Sequence, residues 1–191
     1  MQIIRNLLII ACIVLVGFAL ACSISNQRAE RTSVKSQVIE PISIKNQAAE
    51  QYSVRLSDVP EVFQQLKQRG TDGSFAVFMF SDHGKSGNEN IVNLQFSVEN
   101  GKIGLDWVLL APANIRDERR VNDFLMARKA PPQRLSANEV TYLRAESGDL
   151  VLICQDIMRE IYGMKNNDDI EFLPSGFEWK PSSSGRQNIL K

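Results

Sequence analysis

Histidine is nearly missing from this 191-residue chain, which has His83 and no other. Cysteine is scarce as well. Three thiols, none paired with another at metal-ligand spacing, count against a disulfide scaffold and against a zinc site. No excess of one charge is present: 22 Lys and Arg cancel 22 Asp and Glu, so clustered cations for phosphate contacts are lacking and nucleic acid is not expected as a partner. No internal repeat is visible. The longest apolar run, Leu7 to Leu20, falls short of the roughly 20 residues that span a bilayer comfortably. What remains is 43% hydrophobic and 23% charged, the proportions of an ordinary globular domain with an appendage.

The appendage is N-terminal. Arg5 is the only charge in the first 22 residues and stands just ahead of the apolar run. The run ends in Phe18-Ala19-Leu20-Ala21-Cys22, small residues of the kind a signal peptidase admits before its cut. Ala21-Cys22, with uncharged residues before it, resembles the lipobox of bacterial lipoprotein signals. That resemblance implies a diacylglycerol on the Cys22 thiol, cleavage of residues 1–21 and acylation of the new amine. Ala19 departs from the pattern, which usually has Leu there, and Ala19-x-Ala21 also suits the ordinary signal peptidase. A released periplasmic protein and an uncleaved anchor are therefore the alternative outcomes. Ser23 follows where the family's inner-membrane retention signal has Asp, so the resemblance points to the outer membrane. Two or three acyl chains at ~0.8 kcal/mol per buried methylene would hold such an anchor permanently.

Residues 22–51 are rich in Ser, Asn, Gln and Lys and read as a lipid-attached flexible tether, with partial alternation at Val34–Ile44 as a rival short strand. Residues 180–191 read as a disordered tail. Between them, 52–179 reads as an α+β domain: an antiparallel-rich sheet with helices mainly on one face, in the order α-β-β-β-α-β-α. The first helix runs from Asp58 to Gly70, and Ser74–Phe80, apolar on both alternating faces, is expected as a central strand covered at least in part on both sides. Asn100-Gly101 is a two-residue hairpin turn. Setting Glu99 opposite Lys102 pairs Val98 with Ile103, Phe96 with Leu105, Leu94 with Trp107 and Val92 with Leu109, all facing inward. The opposite face reads as a polar outer surface near the turn, with Asn93, Gln95, Ser97 and Asp106, while Val108 and Leu110 make it apolar at the far end. A second helix is expected from Asn114, its cap, to Lys129, with Val121, Phe124, Leu125 and Ile115 inward and Pro131-Pro132 behind. Val140–Ala145 is a strand. Leu150, Ile153, Cys154, Ile157 and Ile161 form one helical stripe closed by Gly163, hiding Cys154, and Ile170–Leu173 is a last short strand.

Catalytic chemistry has few candidates. Asp82-His83 could act on Ser81 or Ser86, but adjacent residues of one loop seldom supply roles that need convergence from separate elements. Gly84-Lys85-Ser86 lacks the first glycine of a phosphate loop, because Met79 stands in its place. Trp179 is expected to seal the core edge, with a binding anchor as the other reading. No catalytic residue, metal or cofactor is expected.

The hairpin, the polar face and the Gly176-Phe177-Glu178-Trp179 ending give residues 58–179 a general likeness to bacterial immunity proteins. That resemblance implies a non-enzymatic envelope protein that neutralises a toxin by shape and charge. Its contact residues would be Asp82, His83, Lys85, Asn88, Gln95, Asp106, Asp168 and Asp169. A structural lipoprotein of an envelope complex and a periplasmic hydrolase using His83 are the alternatives. The lipobox reading has a direct test. Cys22→Ser should abolish palmitate incorporation and leave residues 1–21 attached, read by mass spectrometry of the intact chain.

Overall fold

The computed structural model describes residues 51–82, 85, 87–137 and 139–181. The signal, the tether with Val34–Ile44, His83 and the tail beyond Pro181 lie outside those residues. The chain divides into two units, Met1–Ala48 and Ala49–Lys191, and the described residues belong to the second.

That unit is α+β. In chain order its elements are β1 (Tyr52–Arg55), α1 (Val59–Arg69), β2 (Phe75–Ser81), β3 (Ile91–Glu99), β4 (Lys102–Val108), α2 (Pro112–Ala127), β5 (Gln133–Ala137), β6 (Val140–Ala145), α3 (Leu150–Asp156) and β7 (Asp169–Ser175). The strands form one seven-stranded sheet in the order β1-β7-β2-β3-β4-β6-β5. Every pairing is antiparallel.

The hairpin has the expected register from Glu99↔Lys102 to Leu94↔Trp107. Its turn works because Asn100 and Gly101 both take positive φ, 52° and 73°, matching the twist of the strands they join. Phe78, Phe80, Leu94, Phe96, Leu105, Trp107, Leu143 and Phe172 then share one face with the apolar sides of all three helices. Phe78 stacks on Phe172 and meets Phe96 edge-on, and Trp179 closes the far side against Phe172 at 5.2 Å. Cys154 is fully buried, and that burial pushes its thiol pKa upward, so it is an inert core group.

Several details differ from expectation. The domain opens with a strand rather than a helix, since β1 adds to the edge of β7. A further strand, β5, follows Pro131-Pro132 and forms the opposite edge on β6. Both are short and mixed in composition, so neither carries the alternation that marks a strand in sequence. α3 does not continue regularly to Ile161, because its last residues form a π turn, Ile157–Ile161. Lys180 is tied down: its N–H donates to the Gln65 side chain, whose amide donates back to its carbonyl.

Asn114 is not a helix cap. α2 starts earlier, at Pro112, and Asn114 lies fully buried in its first turn. Its side-chain amide donates to the Asn93 carbonyl at 2.6 Å and accepts from the Asn93 N–H at 2.9 Å. It thus replaces a strand at the point where the β3–β4 ladder stops, so Val92 and Leu109 do not pair across it. Ile115, expected inward, is 56% exposed as a result of this register. Removing the amide would orphan a buried N–H and a buried C=O. Asn114→Ala should therefore lower unfolding free energy by about 2–4 kcal/mol in urea titrations.

Candidate functional site

The sheet face without helices is apolar toward Val108, as expected, but near the hairpin turn it is not the outer surface expected for it, since Ser97 and Asp106 are buried. Phe75, Val77, Val108 and Leu173 are buried there, outside the main core. Between them runs a charged row. Leu173, Val77, Gln95, Asp106, Arg144 and Gln133 are successive cross-strand neighbours.

Asp106 is 0% exposed and Arg144 1%. Arg144 Nη1 donates to Asp106 Oδ1 at 2.9 Å and to Ser97 Oγ at 2.7 Å. Ser97 in turn donates to Asp106 Oδ2, and Gln95 Nε2 reaches the same oxygen at 3.3 Å. Arg144 Nε donates to Glu146 at 2.8 Å, and Nη2 donates to the Lys102 carbonyl at 3.2 Å. Glu99 stands 3.5 Å from Nη1 and accepts from the Tyr142 hydroxyl. Gly104 makes this possible. A Cβ there would sit 2.3 Å from the Arg144 guanidinium carbon, so only glycine lets the side chain lie flat on the strand.

Three carboxylates thus converge on one guanidinium. Burial pushes the Asp106 carboxyl up to about 6, although Arg144 and Ser97 oppose the shift. Burial works against the charge on Arg144, yet Asp106, Glu146 and Glu99 outweigh it and raise its pKa. The Tyr142 phenol, partly desolvated and facing Glu99, is pushed up to about 12.

A second network lies at one end of the sheet, at the connection between β2 and β3. Asp82 accepts from Lys85 and from Arg116 Nη2, the latter at 3.1 Å. Arg116 also donates to Asp117 at 2.8 Å and to Asn90 at 3.3 Å. Asp117 takes a further bond, 3.1 Å, from the Tyr162 hydroxyl. Tyr162 is buried, its ring stacked on Trp107 and edge-on to Phe80, so it fixes Asp117 from beneath. Burial and the Asp117 charge push the Tyr162 phenol upward, leaving it a proton donor and not a base. Burial opposes ionisation of Asp117 as well, but its bonds from Arg116 and Tyr162 hold the carboxyl below the usual range. The array can present fixed charges.

Of the residues singled out from sequence, Asp82 and Lys85 join this network, and Asn88 opens the 3-10 turn, Asn88–Asn90, beside it. Asp169 opens β7 at the same end of the sheet, opposite Arg55, and Asp168 accepts from the Lys165 N–H. Gln95 and Asp106 lie apart from both, bonded to each other on the helix-free face. Asp106 is closed to solvent and is part of an internal ion pair. Arg116, Asp117 and Tyr162 were not foreseen as a unit, because the first two are neighbours in α2 while Tyr162 stands forty-five residues beyond Asp117, at the end of the π turn. Gly104 within a strand was the available sign of Arg144. The chain matches no family model, no curated protein and no solved structure.

The buried pair leads to an ordered set of stabilities. Asp106→Ala leaves the guanidinium without its fully buried counterion and should cost about 3–5 kcal/mol. Glu146→Ala, removing a partly exposed partner, should cost under about 1 kcal/mol. The raised Asp106 carboxyl favours the folded chain fully below its unfolded pKa, and that contribution is lost as pH rises through about 6. Acidification from pH 7 to 5 should accordingly stabilise the natural chain relative to Asp106→Asn, as followed by urea midpoints.

Proposed function

We propose that this chain is a lipid-anchored protein of the bacterial envelope, facing the periplasm, whose α+β domain binds a protein partner as a toxin-neutralising immunity protein. The observation that carries the proposal is the Asp82–Lys85–Arg116–Asp117 array. Lys85 and Arg116 are substantially exposed, whereas the carboxylates between them are held by bonds from both sides. Charges fixed before an encounter lose little freedom on binding, and alternating sign makes recognition selective for a complementary surface. The lipobox-like Ala21-Cys22 supplies the address, with the outer membrane favoured by Ser23. Asp169 and Asn88, at the same end of the sheet, would widen the contact.

Co-culture tests the proposal. Cells lacking the chain should be killed by neighbours that carry the toxin and be rescued by the natural gene. Rescue by Arg116→Glu should fall by at least about tenfold, because reversing one rim charge sets like charges face to face. An envelope defect of the deletion strain in pure culture, with no toxin-dependent killing, would favour the structural lipoprotein instead.

A further inference from the structure

The described residues expose three large hydrophobic side chains, Ile115, Met126 and Leu152. Two of them lie on one line. Ile115 and Met126 are eleven positions apart, which on an α-helix is about 16 Å of rise and a rotation of only about 20° from alignment. Each is 56% exposed. Arg119 and Asp123 lie between them along the same outward stripe, with side chains 93% and 66% exposed and 3.8 Å apart. The inward side of α2 holds Val121, Leu125 and Asn114. The stripe is thus the outer surface of the helix, with one apolar residue near each end and one charge of each sign between.

That arrangement is complementary to itself. When a second copy of α2 is laid antiparallel across a twofold axis midway between Arg119 and Asn122, Ile115 meets Met126 of the other copy, and the contact occurs twice. Arg119 then lies level, to within about one residue's rise of 1.5 Å, with Asp123 of the other copy. Both lie on the same side of the seam, so two ion pairs form across it. We infer that the outer stripe of α2 is an isologous, antiparallel dimer seam between two copies of this chain. A twofold interface demands this kind of self-match, whereas a face for an unrelated partner does not. Two apolar contacts and two exposed ion pairs are far less than the ~1,600 Å² interfaces of stable complexes provide, so the dimer is weak and concentration-dependent. Confinement to a surface would raise its effective concentration. The inference concerns the domain alone and does not depend on export, lipidation or a toxin.

Sedimentation of the full chain in detergent should show the monomer giving way to dimer between about 10 μM and 1 mM. Arg119→Asp and Asp123→Arg should each weaken association by about tenfold, and the double exchange should return it to within about threefold of the original. Oxidation distinguishes the geometry. The Ile115→Cys, Met126→Cys double variant should form covalent dimers, whereas Ile115→Cys alone should not exceed the unsubstituted chain, since equivalent Ile115 residues lie at opposite ends of the seam. A chain monomeric throughout, or an Ile115→Cys variant that crosslinks as readily as the double variant, would overturn the inference. So would binding of anionic vesicles by a persistent monomer in a manner requiring Ile115 and Met126, which would assign the stripe to lipid.

Discussion

A guanidinium sealed from water keeps its proton, so Arg144 dictates the chemistry of everything around it. Carboxylates must approach it from several sides, backbone carbonyls must turn toward it, and the strand beneath must carry no side chain. Asp106, Glu99 and Glu146 meet the first demand, Lys102 the second and Gly104 the third. These residues come from β3, β4 and the position just after β6, and they converge only in the observed register. The ion pair is a weak source of net stability, but a shift of pairing would leave a buried charge unmatched, which is a strong penalty against the wrong arrangement. Its role is to select one sheet among the possible ones.

Trp107 carries that selection through to the opposite face. Its indole N–H donates to the Asn114 carbonyl at 3.0 Å, and Asn114 completes the backbone of β3 where the β4 ladder has ended. The same ring supports Tyr162, whose hydroxyl holds Asp117 and through it Arg116 and Asp82. A continuous set of contacts thus joins the middle of the hairpin to the charged array at the sheet's end. Asp82 and Asn90, on either side of the loop after β2, are both tied to the core through Arg116.

The parts legible in the sequence are those with strong local rules. Asn100-Gly101 announced its turn and register, Val140–Ala145 its strand, and the spacing of Leu150, Ile153 and Cys154 the buried side of α3. Burial of Trp179 was also readable from its neighbours. Edge strands β1 and β5 were not, since at four and five residues they hold too few apolar side chains to establish a period of two. Asn114 looked like a cap because a short amide next to a helix start usually is one; its use as a surrogate strand depends on β3, distant in the chain. Polar residues at Gln95, Ser97 and Asp106 suggested solvent, and only the cross-strand position of Arg144 reveals Ser97 and Asp106 as its partners, with Gln95 bonded to Asp106. As for the candidate array, Asp82 and Lys85 could be noticed in their loop, but Arg116 reaches Asp82 from thirty-four residues away.

The π turn at the end of α3 accounts for one more placement. A turn of this width amounts to one residue inserted into a helix that would otherwise wind on unaltered. Its extra length rotates whatever follows by about 100°, which is the difference between facing the sheet and facing away from it. Tyr162 follows immediately, and its inward aim is therefore a product of that surplus residue. Shortening the turn by one position would restore ideal winding and swing the phenol away from both its aromatic neighbours and the carboxylate it steadies.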